Sequence, residues 1–244
     1  MNAFQRDPRT VAREIPGLFE AVFPQLSSSV VMHLNRMSIA IDEFEPVSHV
    51  DVICSSIPQP MLFEIAQVLV EQRLNGAENI QDALLAAYSR QSRYFDARLV
   101  ERLSSVAERV IMSVAGNLHR MLTKVISDEG GSASLEVAPV IPGFQWLASG
   151  KGDFAVERTL IEVKCANKSF SSADYRQIIV YWVLSYINSL EGGGREWSRL
   201  VLLNPRLNKM VRLRVKDILE LTSAGRSKIE IVEMFTHLIA KEHA

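Results

Sequence analysis

Three residues with complementary chemistry lie within one stretch of the sequence. Asp153, Glu162 and Lys164 fall in GDFAVERTLIEVKCANKSFSSADYRQIIVY, residues 152–181. Two carboxylates close enough to share a cation suit a hard divalent ion such as Mg²⁺. Such an ion keeps several waters and binds through one or two carboxylates plus substrate phosphate. It lowers the pKa of its water and polarises a phosphoryl oxygen. An ammonium beside it positions that water or stabilises charge building on the phosphate. These are the requirements of phosphodiester hydrolysis.

The spacing works only if two strands hold the residues. Asp153–Glu157 and Leu160–Cys165 alternate in polarity, the strand pattern, and are near enough to form a hairpin. With Glu157 opposite Leu160, Asp153 faces Lys164 and Ala155 faces Glu162. Residues on one face of a hairpin sit roughly 5 Å apart. Asp153, Glu162 and Lys164 then share one face, and Phe154, Val156, Ile161, Val163 and Cys165 share the other, the expected core side. The turn lacks the Asn-Gly or Asp-Gly signal that would fix its type. Taken alone, Glu-x-Lys on a strand also describes a solvated, charge-paired outer face.

The next segment adds to the pattern. Ser171-x-x-Asp174 is a capping-box-like start for a helix from Ala173 to about Leu190. Ile178, Ile179, Val180, Trp182, Val183, Leu184 and Ile187 make it apolar on most sides, so it should be buried. Gln177 and Tyr181, four apart, share a face and need hydrogen-bond partners there. The carboxylate face of the hairpin would provide them. Arg176 lies beside that face, where it would meet a phosphate or serve as an ordinary surface residue.

Asp153, then Glu162-Val163-Lys164, then Gln177-Ile-Ile-Val-Tyr181 resembles the PD-(D/E)xK nuclease superfamily, and more narrowly its RecB-like branch, over roughly residues 100–215. The resemblance implies an α/β fold with a mixed central sheet flanked by helices, and a metal-dependent deoxyribonuclease using Mg²⁺ or Mn²⁺. Asp153 and Glu162 would be the metal ligands, Lys164 would assist the attacking water, and Gln177 and Tyr181 would border the site and contact nucleic acid or orient the catalytic groups. Gly152 stands where the family name has Pro. The superfamily often takes one more ligand from a helix before the strands. His119 is the favoured candidate, although Ala115 replaces the Gly expected four residues earlier, and Glu108 is the other. DNA is the expected substrate, with a second copy or a partner ATPase or helicase subunit as expected companions. Recombination and repair or phage defence would be the setting. A catalytically inactive member acting as a nucleic-acid-binding or assembly subunit is the competing expectation.

Composition bounds these readings. The chain has 244 residues, 48% hydrophobic and 23% charged, as in an ordinary globular protein. No apolar run approaches a membrane span, and MNAFQRDPRT has no signal-peptide core. Two cysteines, Cys54 and Cys165, give neither a disulfide framework nor a four-cysteine iron–sulfur cluster. A cytoplasmic location is expected. Net charge is −1, yet residues 1–150 hold 12 Lys/Arg against 17 Asp/Glu, and residues 151–244 hold 15 against 11. The motif-bearing half is the basic one, which suits a phosphate-bearing substrate.

Residues 96–244 read as the nuclease-like core and 1–95 as an N-terminal α/β extension. In the extension, Asp7-Pro8 starts a helix running to Glu14 and a second covers Leu18–Phe23. Val30–Leu34, Met37–Asp42 and His49–Cys54 read as strands, and Met61–Leu74 and Ile80–Ser89 as helices. His33 and His49 have no third ligand at metal spacing and read as structural. Residues 96–127 carry a long helical pattern through Leu103, Val110, Val114, Leu118 and Val125. Leu135–Val140 reads as a strand. Leu200–Leu203 and Met210–Val215, around Asn204-Pro205, read as a second strand pair. Arg206, Lys209, Arg212, Arg214 and Lys216 make that pair basic, either as a shelf for a nucleic-acid backbone or as a solvated edge.

Overall fold

The computed structural model describes residues 6–9, 15, 17–41, 44–91 and 103–241. A five-stranded mixed sheet carries the motif. Its strands are β1 (Leu135–Val137), β4 (Phe154–Val156), β5 (Thr159–Val163), β6 (Arg199–Asn204) and β7 (Lys209–Arg214), in that spatial order. Only the β5–β6 pair is parallel. A parallel pair needs a long crossover, and helix α7 (Ser172–Leu190) supplies it. The short strands β2 (Val140–Ile141) and β3 (Gly150–Lys151) form a separate ribbon. The mixed α/β architecture expected from the sequence is thus observed.

Both faces of the sheet are covered at its centre, so β4, β5 and β6 are apolar on both sides. Ala155, Leu160, Leu200, Leu202 and Val211 pack with α7. Phe154, Val156, Ile161, Val163, Val201 and Leu203 pack with α4 (Gln59–Leu74), α5 (Ile80–Gln91) and α6 (Ser105–Asp128). The expected apolar face of the hairpin is present, and the opposite face is also core except where Asp153, Glu162 and Lys164 stand.

The hairpin register differs from the expected one by two residues. Val156 pairs with Thr159 and Phe154 with Ile161, so the turn is Glu157-Arg158 and Asp153 comes opposite Glu162. Glu157 takes the left-handed conformation, φ 49°, which tight hairpin turns require and Asn or Gly would adopt at lower cost. A slip of two leaves every side chain on its face. The three charged residues therefore remain together.

The N-terminal strands expected over Val30–Leu34 and His49–Cys54 are helices: α2 (Ser28–Arg36) and α3 (His49–Cys54). Ser27 and Ser48 cap them, their hydroxyls accepting from the Val30 and Asp51 N–H groups. Val31 and Leu34, three apart, are the buried positions of α2, the helical period rather than the strand one. In the remaining segment Ile39 makes an isolated antiparallel bridge to Met210 on the outer strand β7, with both N···O distances 2.9 Å. The helix expected over Asp7–Glu14 falls largely outside the described residues, as does the part of the long helix before 103. The boundary drawn at 95/96 lies there too. Side chains from the first 91 residues enter both layers: Leu18, Phe19 and Leu34 join the α7 side, and Leu62, Ile65 and Leu84 join the α6 side.

The helix that faces the motif starts with the expected box. The Ser171 hydroxyl accepts from the Asp174 N–H, and the Asp174 carboxylate accepts from the Ser171 N–H at 2.7 Å. Ile178, Ile179, Val180, Val183 and Leu184 of α7 are all buried, each contributing roughly 1.5–3 kcal/mol. That margin tolerates one buried polar side chain, Gln177, provided its hydrogen bonds are made.

Candidate functional site

Glu162 is the centre of a closed polar network on the α7 face. Its Oε1 accepts from Lys164 Nζ at 2.7 Å and from Gln177 Nε2 at 2.6 Å. Lys164 Nζ also donates to Gln177 Oε1 at 3.0 Å, and Gln177 Nε2 donates to the Tyr181 hydroxyl at 3.0 Å. Gln177 and Tyr181 reach the strand because residues four apart on α7 point the same way. Glu162 Oε2 is buried with no hydrogen-bond partner among the described residues. A buried carboxylate with one oxygen held by two donors and the other unmet is a costly arrangement for a purely structural residue.

Asp153 approaches from the neighbouring strand end. Its Oδ2 accepts from the Val163 N–H at 2.7 Å, so the carboxylate takes the place of a ladder carbonyl just before β4 begins. The side chain is deeply enclosed while the residue keeps a solvent-accessible edge. Burial, and then the charge of Glu162, raise its pKa to about 8. Lys164, the Val163 N–H and Arg9 pull the other way by less. Burial would lower the Lys164 pKa, but Glu162 and Asp153 outweigh it and the net shift is upward. Lys164 is therefore an ammonium at neutral pH, a donor and not a base. Burial and then the Glu162 charge hold the Tyr181 phenol above its usual range, so it stays protonated.

Beside this network a cleft of about 610 Å³ opens. Its walls are Val163 at the end of β5 and the segment after it to Ala166, the loop from Lys168 to Ser171, and Gln59, Pro60 and Phe63 from the first turns of α4. Lys164 and Asp174 line it as well, with Lys164 Nζ 4.0 Å from Asp174 Oδ1. Lys164 thus carries the edge of the motif into the wall of a space that a substrate could enter.

The structure brings together Asp153, Glu162, Lys164, Gln177 and Tyr181, and separates the other candidates from them. Arg176 turns to α1 (Leu18–Val22), donating to Glu20 at 3.1 Å with its guanidinium 5.0 Å from the centre of the Phe19 ring. His119 lies on α6, whose buried residues pack on the opposite face of the sheet. Burial, and then the charges of Arg73, Glu78 and Arg120, set its pKa, which is lowered. Glu108 lies in the first turn of the same helix. No group of three His, Cys, Asp or Glu side chains gathers among the described residues, so neither residue joins Asp153 and Glu162. The basic strands are also divided. Arg212 pairs with Asp128, Arg214 with Asp217 and Lys216 with Glu220, which neutralises most of the expected shelf.

Two residues that the sequence reading did not single out support the site. Buried Asn204 at the end of β6 donates to the Ala166 and Lys168 carbonyls (2.9 and 3.3 Å), fixing the loop that follows Lys164. Its Oδ1 accepts from the Arg206 and Leu207 N–H groups, the hydrogen bonding that Asn before Pro favours in a turn. The expected Asn-Pro turn is the signal that points to it. Arg9 bears on both Asp153 and Tyr181 electrostatically and pairs with Asp7 at 2.9 Å. Nothing in its local sequence indicates this.

Two carboxylates facing each other, one oxygen unmet and one residue with a raised pKa, form a donor set that a hard divalent cation would satisfy. No helix among the described residues is long and apolar enough to cross a membrane. No protein-family model matches the chain, and no curated protein matches it.

Proposed function

We propose that this protein is a metal-dependent nuclease hydrolysing phosphodiester bonds, with DNA the first substrate to test. The observation that carries the reading is the unmet Oε2 of Glu162, a residue that the strand register sets across from Asp153, with an ammonium at 2.7 Å from the other oxygen of the same carboxylate. Asp153 and Glu162 would hold Mg²⁺ or Mn²⁺, which when bound supplies a more acidic water and a polarised phosphoryl oxygen. The chain's own residues do the rest. Glu162 Oε1 and Gln177 Oε1 hold Lys164 Nζ on two sides, which leaves one ammonium proton to direct at an incoming water or a phosphate oxygen. Carrying its proton throughout, Lys164 orients and stabilises charge; it does not abstract a proton. Gln177 fixes both Glu162 and Lys164, and protonated Tyr181 anchors the back of that array.

Incubation of purified protein with linear, circular and single-stranded DNA and with RNA, with and without Mg²⁺ or Mn²⁺, tests this. Metal-dependent cutting is expected, abolished in Asp153→Ala and Lys164→Ala while both remain folded. Wild-type-like cutting by Asp153→Ala rejects the assignment. Metal-insensitive binding without cutting favours a non-catalytic nucleic-acid-binding subunit.

A further inference from the structure

Apart from Lys164, the basic residues around the cleft differ from those farther along the sheet and its flanking helices. Arg158, Arg195, Arg199, Arg212, Arg214, Lys216 and Lys228 each meet a carboxylate. Lys168, Lys209 and Arg206 meet none among the described residues, and all three are organised by Asn204. Lys168 gives its carbonyl to the Asn204 amide at 3.3 Å. Lys209 pairs with Asn204 across β6 and β7 and donates through Nζ to Ser169 Oγ at 3.2 Å. Arg206 gives its N–H to Asn204 Oδ1.

Arg206 is the most demanding of the three. Its side chain is fully buried, its single side-chain partner is His49 Nδ1 at 2.8 Å, and its Nε and Nη1 have none among the described residues. Among the described residues, no carboxylate meets this guanidinium. It acts on Cys165, which lines the cleft: burial pushes that thiol up to about 11, and Arg206 opposes the rise. The field of Arg206 therefore reaches the cleft wall. Field lines in a cleft with low-dielectric walls are focused into it.

We propose that the mouth of this cleft at Lys168 and Ser169, with Lys209 bonded to Ser169 beside it and Arg206 in the same turn, is a second phosphate-holding subsite. It would receive a backbone phosphate of the nucleic-acid strand next to the one positioned at Asp153 and Glu162. The inference rests on the nuclease reading and adds where the strand runs: across the Asn204 turn and along the α4 wall, away from the neutralised arginines of β7. Lys168 and Lys209 are binding residues there, and Arg206 is a charge that no strand atom needs to touch. Asp174, the acidic residue of the cleft, faces Lys164 and uses its Oδ2 on Ser171.

The test is binding without cleavage. Fluorescence anisotropy with short labelled single-stranded and duplex oligonucleotides, in EDTA, compares the wild type with Lys168→Gln, Lys209→Gln and the double variant. Lys216→Gln serves as the surface control. A loss of about 3- to 10-fold per lysine is expected, with the log–log salt slope falling by about 1 per lost phosphate contact. Lys216→Gln should leave both unchanged. Unchanged affinity and slope in the double variant, or an equal loss in Lys216→Gln, overturns the proposal. Competition by inorganic phosphate separates a strand site from a small-anion site: displacement only at far higher concentration than an oligonucleotide supports a strand, and equal potency overturns it. Lysine-dependent binding without any metal-dependent cutting would leave the subsite standing and remove the nuclease reading alone.

Discussion

Removing one charge from the paired carboxylates should stabilise the metal-free protein. Asp153→Asn keeps an oxygen to accept from the Val163 N–H and loses the negative charge that burial and Glu162 penalise. The Asp153 pKa in the folded chain, about 8 against an ordinary 3.8, converts at about 1.36 kcal/mol per pH unit. That sets a ceiling of about 6 kcal/mol. The solvent-accessible edge of Asp153 and the charge shared with Glu162 reduce it, so the expected gain is roughly 2–3 kcal/mol. Between the unfolded and folded pKa values the folded chain binds the extra proton, so wild-type stability falls as pH rises across this window. The advantage of Asp153→Asn should be full above about pH 8, smaller by more than half near pH 5.5, and absent near pH 4. Denaturant unfolding in EDTA across this range measures it. Added Mn²⁺ should reverse the order, since a ligand at about 1,000 times its dissociation constant stabilises by about 4.1 kcal/mol and only the wild type retains both carboxylates. A variant less stable than wild type in EDTA, or a gain that does not change with pH, would refute the reasoning.

Three further outcomes follow. Gln177→Leu removes a donor from Glu162 and an acceptor from Lys164; it should cost about 1–3 kcal/mol on thermal unfolding and lower cleavage at least 10-fold at saturating substrate. Asn204→Ala frees the 166–168 loop and the Arg206 turn; a loss of about 2 kcal/mol is expected, with weakened oligonucleotide binding that rises back when salt is lowered. His119→Ala should leave metal-dependent cleavage within about 3-fold, because its neighbours are Arg73, Glu78 and Arg120. A collapse of activity with the fold intact would bring α6 back into the site.

The parts of the molecule that a local period determines were readable. Alternation along 153–165 put Asp153, Glu162 and Lys164 on one face, and this survived a turn misplaced by one residue because the slip in register was even. Capping at Ser171 and Asp174 located the start of α7, and its apolar circumference implied burial. What failed depended on partners distant in sequence. Val30-Val31 looked like strand residues until Ser27 capped them into a helix. For the arginines of β7 the choice between a basic shelf and a solvated edge stayed open, because a charge count does not see Asp128 and Asp217 facing them. His119 lay on a helix as expected, yet helical spacing does not say which face of the sheet that helix covers. Arg206, fully buried in a turn, is invisible to any pattern that assigns charge to the surface.

Anomalous diffraction from crystals soaked in Mn²⁺ tests the central claim most directly. One peak is expected between Asp153 and Glu162, within bonding distance of Glu162 Oε2, and it should vanish in Asp153→Asn crystals. A well-ordered site with no peak there, or an ion bound elsewhere on the chain, would contradict it.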